Sequence, residues 1–319
     1  MAWDGVPWFV EGTSASEETL RLIADAAVAG GEGVIGPADL VVTALELPGS
    51  AVQVGTGAMI ARYRTGGGGQ AYAARMPTVE LVDVEPTGAD GPRTDLVIAR
   101  IEDPYGGEGW PEPEDPSAGP YVFTRILTDV PAGTTSVHQV DDALTAVTLA
   151  RIDVPAGTST ITQGMITDLR DLARPRSQTI SGYLYGVWET PDEVGPLVEW
   201  EEFPLGARWT HRAPEWATHA TLDVQVTGLR HADAVPARGK LRVTAGEHLG
   251  AAAPYAAEAA GRVSAMARHV FTLDVGERGE LVDVTMQGIG TEGIAGVLQA
   301  DANTALHYTL TFHQAPVSA

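Results

Sequence analysis

Leu306-His-Tyr-Thr-Leu-Thr-Phe-His313 alternates apolar and polar side chains without a break. Leu306, Tyr308, Leu310 and Phe312 fall on one face of an extended chain, and His307, Thr309, Thr311 and His313 on the other. Strand side chains repeat every two residues, so this stretch reads as half-buried antiparallel sheet, one face in a core and one in water. The same period recurs upstream in Leu222, Val224 and Val226, in Phe271, Leu273 and Val275, and in Val282, Val284 and Met286. Strands at this spacing predict an antiparallel β-sandwich, jelly-roll-like, over residues 176–319. Residues 251–268, Ala-rich with an early Pro254, fit helix or strand equally well.

The first half is β-rich as well, with one short helix. Residues 14–29 repeat Leu20, Ile23, Ala24, Ala27 and Val28 at helical spacing, with Ser14 and Glu17 spelling a capping box and Gly30-Gly31 a left-handed stop. Strands are expected at Leu40–Leu47, Ala51–Val54, Val79–Val84 and Asp95–Ile101, with a hairpin tip at Gly66–Gly69 and a surface loop over 103–120. Val-Pro-Ala-Gly-Thr occurs at 130–134 and again at 154–158, which suggests related hairpins. Near Pro175, bracketed by Arg174 and Arg176, the character of the chain shifts, so the expected domains are 1–175 and 176–319.

Composition removes several classes of function. The 42 acidic residues outnumber the 20 basic ones, for a net charge of −22, and no basic stripe exists to track phosphates. Nucleic acid and anionic membranes are therefore not expected as partners. No apolar run approaches the roughly 20 residues of a membrane span, and no secretory signal is visible, so no membrane insertion is expected. Cys is absent, which excludes disulfides, thiolate metal sites and cysteine nucleophiles.

Candidate chemistry is sparse. Gly288-Ile-Gly-Thr-Glu-Gly293 spells a dinucleotide fingerprint, but another glycine, Gly296, stands where the following helix should begin. His211, Glu215 and His219 share a helical spacing that Pro214 would break. Glu199, Glu201 and Glu202, with Asp192 and Glu193, contain a possible glycosidase carboxylate pair, though an acidic loop explains them more simply. No Gly-x-Ser-x-Gly elbow is present, and no catalytic set, cofactor or metal site is expected. The aromatic group Trp188, Trp200, Phe203, Trp209 and Trp216 has two readings, core packing or, at Trp209 and Trp216, stacking on sugar rings. Trp3 and Trp8 are expected against the helix or a neighbouring chain, and Asp168 and Arg170 as a local ion pair or interface contact.

Three stretches go further as a set. Arg93-Thr-Asp-Leu-Val-Ile-Ala-Arg-Ile-Glu-Asp-Pro104, Leu149-Ala-Arg-Ile-Asp-Val-Pro-Ala-Gly-Thr158 and Ile161-Thr-Gln-Gly-Met-Ile-Thr-Asp-Leu-Arg170 resemble minor tail or baseplate (tail-tip) proteins of siphophages that infect actinobacteria. Gly33–Ala44 and Ala51–Ile60 fit the same pattern, so the resemblance covers roughly residues 1–175. It implies a structural virion component at the tail tip, assembled in the host cytoplasm as a homotrimer. The N-terminal half would serve as the attachment domain, contacting other phage tail proteins. The following sandwich would then contact the host, with host cell-wall glycan as a candidate ligand. A receptor-binding protein and, further off, an envelope-degrading glycosidase are the alternatives.

Overall fold

β-Formers punctuated by Gly and Pro build a mostly β-strand fold with several antiparallel sheets and, among the described residues, one short α-helix. The computed structural model describes residues 14, 16–65, 68–89, 91–195, 199–231 and 235–317. The chain divides into two compact units, residues 1–175 with 315–319, and residues 176–314. The expected distal domain of 176–319 thus gives up its last residues to the first unit. Val317 explains this, since its N–H donates to the Pro37 carbonyl at 3.0 Å and its carbonyl accepts from Arg170 at 2.9 Å.

In the first unit α1 (Glu17–Ala27) is shorter than the expected 14–29. Its N-cap is Ser16 rather than Ser14, because the Ser16 hydroxyl accepts the Thr19 N–H. Left-handed backbone at Ala29 and Gly30 ends the turn that follows. Only part of the apolar stripe is covered: Ala24 and Val28 join a small cluster with Ile60, Ala71 and Ala173, whereas Leu20 is exposed. The strands are β1 (Gly33–Val34), β2 (Val42–Ala44), β3 (Ala51–Val54), β4 (Gly57–Arg62), β5 (Ala71–Met76), β6 (Glu80–Asp83), β7 (Arg93–Ile101), β8 (Val122–Leu127), β9 (Ala146–Val154) and β10 (Ile166–Asp168). They form sheets ordered β1-β4-β5, β2-β3-β6 and β10-β9-β7-β8.

Strand β7 is the centre of this unit. Val97, Ala99 and Ile101 face one core with Leu149 and Ile152, while Leu96 and Ile98 face a second with Val130 and Val137. Burial on both faces suits its run of β-branched and aliphatic residues. The two Pro-Ala-Gly turns share a left-handed glycine, at φ +83° for Gly133 and +67° for Gly157. Neither closes a tight hairpin: one leads into a 3-10 turn at Val137–Gln139, the other into the connection that precedes β10.

Gly33 shows why the start of β1 tolerates no side chain. Its φ is +138°, and a Cβ there would lie 2.1 Å from the Asp171 carbonyl oxygen. The close approach lets Val34 exchange backbone hydrogen bonds with Asp171 and Ala173. Gly33→Ala is expected to lower the stability of this unit by about 2 kcal/mol through strain and displacement, measurable as a shift in the urea midpoint.

The second unit contains β11 (Ser177–Tyr185), β12 (Asp192–Val194), β13 (Glu201–Glu202), β14 (Arg208–Arg212), β15 (His219–His231), β16 (Ala237–Ala245), β17 (His248–Leu249), β18 (Ala253–Ala257), β19 (Gly261–Thr272), β20 (Leu281–Gly290), β21 (Leu298–Ala300) and β22 (Ala305–His313). One sheet runs β11-β22-β15-β19, with β21 and β12 continuing beside the end of β15. In the other, β20 pairs with β13, β14 and β16, and β16 with β17 and β18. Inward residues of both sheets share one core, including Leu222, Val224, Met286, Leu310 and Phe312. This arrangement is compatible with a β-sandwich of jelly-roll-like topology.

Residues 251–268 are strand, not helix, in β18 and most of β19. Pro254 is tolerated because, among the described residues, β18 pairs only with β16 and so lies at an edge. The Gly288–Gly293 motif ends β20 and enters a turn, with no helix behind it.

Candidate binding surfaces

Asp168 and Arg170 meet at the end of β10. Arg170 donates Nε to Oδ1 at 2.9 Å and Nη2 to Oδ2 at 2.7 Å, a two-point carboxylate pair. Its guanidinium also reaches the carbonyls of Pro37, Asp39 and Val317. The side chain is 0% exposed, so within this chain it serves as an internal clamp. Trp3 and Trp8 lie outside the described residues.

The tryptophans of the second unit are engaged in packing. One face of Trp209 lies on the buried Tyr308 ring, centroids 4.1 Å apart, and Trp216 is half-buried against the same core. Trp188 is buried and donates its indole N–H to the Leu205 carbonyl. Arg242 sits 4.2 Å over the Trp200 ring. Three of the acids around them are likewise occupied. Glu202 accepts from the Gly206 N–H and pairs with Arg208, Asp192 accepts from the Leu205 N–H, and Glu193 accepts from Gln299. Structural partners therefore account for Asp192, Glu193 and Glu202, which also fit a glycosidase pair by composition.

His211 and His219 are separated as well, on β14 and β15, with Glu215 in the turn between them. The His211 Nε2 lies 2.9 Å from the Tyr308 hydroxyl, and the His219 Nδ1 lies 2.9 Å from the Thr218 hydroxyl. Among the described residues, no group of three or more His, Cys, Asp or Glu is arranged to hold a metal ion. No helix among them is long and apolar enough to cross a membrane. In the first unit Glu32 contacts Arg64 and His138. Burial pushes the Glu32 carboxyl up, but the His138 hydrogen bond and the charges of Arg64 and His138 outweigh it and hold the carboxyl below its ordinary range.

Two histidines of the second unit carry a pH dependence. Burial holds the His211 and His269 imidazoles below their ordinary value, and the neighbouring His248 adds to the effect at His269. The folded unit resists protons that the unfolded chain accepts. These groups therefore contribute stability above the unfolded histidine value, and it is lost as pH falls through that value toward the folded ones. The melting temperature of this unit is expected to drop between about pH 7 and about pH 5, and His269→Gln to flatten that slope.

The outward face of the β11-β22-β15-β19 sheet is open. Its cross-strand rows, read from the registers, are Ser177-His313-His219-Thr272, Thr179-Thr311-Thr221-Val270, Ser181-Thr309-Asp223-Arg268 and Tyr183-His307-Gln225-Met266. Tyr185, Ala305 and Thr227 extend it by one further step. Tyr183 is 69% exposed, Tyr185 60% and Met266 62%. Alternation of Ile180 and Leu184 in Ser177–Tyr185 implies outward tyrosines, but no motif or spacing in the sequence marks them as a site. Beyond Tyr185 an open cavity of about 880 Å³ is lined by Leu184, Val187, Trp188, Thr190, Asp192 and Leu205.

No family model matches the chain, and no curated protein does. Solved structures give distant likenesses. T=1 particles derived from infectious bursal virus match at 11% identity and a TM-score of 0.24, over 90% of this chain and 72% of that one. The EclA C-terminal domain, described as a sugar-binding protein, matches at 9% identity and 0.22, over 41% of this chain and 78% of that one. Dimeric latent PorU from Porphyromonas gingivalis matches at 10% and 0.23, over 44% and 13%. Scores this low carry no weight for function.

Proposed function

We propose that this chain is a non-enzymatic structural component of a phage tail tip, with the first unit attaching to other tail proteins as a homotrimer. One observation carries the reading. The three stretches that resemble siphophage tail proteins are β7, β9 and β10 with their flanking residues, which are neighbouring strands of one sheet. Segments scattered over 78 positions of sequence thus form one structural element, as a shared attachment fold requires. Electron microscopy of intact particles carrying a labelled copy tests it: label at the tail tip is expected, and its absence from the tail would sink the reading.

A second reading is that the second unit is a jelly-roll receptor-binding module for host cell-wall glycan. Its strand order favours this, because reducing the sheets to β11-β22-β15-β19 and β14-β20-β16-β18 leaves the alternating two-sheet order of a jelly roll. The open cavity beside Trp188 adds a concave site with mixed apolar and polar lining. Sedimentation of the full-length protein with host cell walls tests the idea, and a supernatant that retains all the protein would count against it.

A further inference from the structure

We propose that the row Tyr183-His307-Gln225-Met266, with Tyr185 beside it, is the binding surface for a neutral oligosaccharide lying across the strands; this rests on the glycan reading of the second unit and assigns its site. Charge is the first argument. The whole chain carries −22, yet in the five rows named above the only formally charged side chains are Asp223 and Arg268, which pair with each other at 3.5 Å; further charges stand past the bulge of β15, at Arg230 and Arg262. Rows of zero net charge on an acidic protein offer no attraction to a polyanion or a polycation there, and no repulsion to an uncharged, hydroxyl-rich ligand. A membrane headgroup or nucleic acid lacks the basic residues it would need.

Hydrogen-bonding capacity is the second argument. Two pairs on this face are spent on one another, Thr179 with Thr311 and Asp223 with Arg268. Tyr183, His307 and Gln225 make no such side-chain bond among the described residues, and all three are exposed. They offer a phenol, an imidazole and a carboxamide in one line, each able to donate and to accept. Strand spacing puts neighbouring members about 4.8 Å apart and the whole row about 14 Å long, room for a short run of sugar rings.

The third argument is the aromatic platform. Tyr183 and Tyr185 stand two residues apart on one strand, so both rings leave the same face about 6.7 Å from each other. Neither has a ring partner among the described residues, unlike Trp209, whose face is taken by Tyr308. A tyrosine pair with a free face and a free hydroxyl suits the apolar face and hydroxyl rim of a sugar ring. Met266 closes the row with an exposed, adaptable thioether.

The test is a glycan array probed with the full-length protein, using neutral gluco-, galacto-, manno- and arabino-configured tetrasaccharides beside sulfated and sialylated ones. Retention of at least one neutral tetrasaccharide over the anionic set is expected, with binding about tenfold weaker in the double variant Tyr183→Ala/Tyr185→Ala and unchanged in Trp209→Phe. These tyrosines are exposed, so the double variant should keep the wild-type melting temperature, which is measured alongside. Wild-type binding that survives the double variant would overturn this site and leave the glycan reading standing. Binding of no glycan, or of anionic ones alone, would overturn the site, and sedimentation with host cell walls would still judge the wider reading. Self-association of the wild type that Tyr183→Arg abolishes would mean a second copy covers the face, and would also overturn the proposal.

Discussion

Arg170→Ala is expected to lower the unfolding free energy of the first unit by about 3–5 kcal/mol, the cost of removing one member of a buried charged network. The variant strips the donor from four groups at once: the Asp168 carboxylate and the carbonyls of Pro37, Asp39 and Val317. Asp168 is partly exposed and can recover some hydration, which pulls the value toward the lower end. The three carbonyls pull the other way, since a buried acceptor left unpaired costs about 1–3 kcal/mol. Arg170→Lys keeps the charge but loses the planar fork, so it should recover less than half of the loss. Asp168→Asn should cost less than Arg170→Ala, because the guanidinium keeps its carbonyl partners. Urea unfolding gives these values, and hydrogen exchange gives a local check. The Val317 amide, which donates to Pro37, should exchange faster in Arg170→Ala as the C-terminal segment loosens. A loss below about 1 kcal/mol would show that water replaces the clamp.

Much of this network lay beyond the reach of sequence reading. Asp168 and Arg170 are two residues apart, so their pairing is a local matter that spacing suggests. The carbonyl partners are 133, 131 and 147 residues away, and nothing in composition or period connects them. The strands of the second unit were legible for the opposite reason. Burying one face of a pleated chain forces a period of two, and Leu306–Phe312 shows it within a single strand. Which tryptophans are covered was not legible, because the ring covering Trp209 belongs to Tyr308, nearly a hundred residues on. The helix starts two residues later than its capping-box spelling implies. Ser14 and Ser16 both precede acids, and only the backbone decides which hydroxyl reaches an orphan N–H. The tyrosine row needed two steps, strand alternation and then register, and the second comes only from pairing β11 with β22 and β22 with β15.

His231→Ala is the test of whether the second unit's stability and its proposed binding face are separable. His231 ends β15 and is 1% exposed. Its Nδ1 lies 2.9 Å from the Ala259 carbonyl oxygen and its Nε2 2.8 Å from that of Val235. One ring thus bridges the connection before β16 and the one before β19. Truncation removes the ring N–H from the carbonyl it serves and opens a small void, so a loss of about 2–4 kcal/mol is expected by urea unfolding. His231→Gln, whose amide nitrogen can reach one carbonyl at a time, should recover part of it. Gln225 stands six residues earlier on β15, about 20 Å away at strand rise, with its side chain on the outward face. Below its melting temperature, His231→Ala should therefore bind a retained tetrasaccharide as the wild type does, while Tyr183→Ala/Tyr185→Ala should weaken binding at unchanged stability. Opposite behaviour of the two variants in the two assays is what a rigid sandwich with a surface site requires. Weakened binding in both would mean that the face is held in shape by the turns His231 ties, and that its register depends on the sheet's far end.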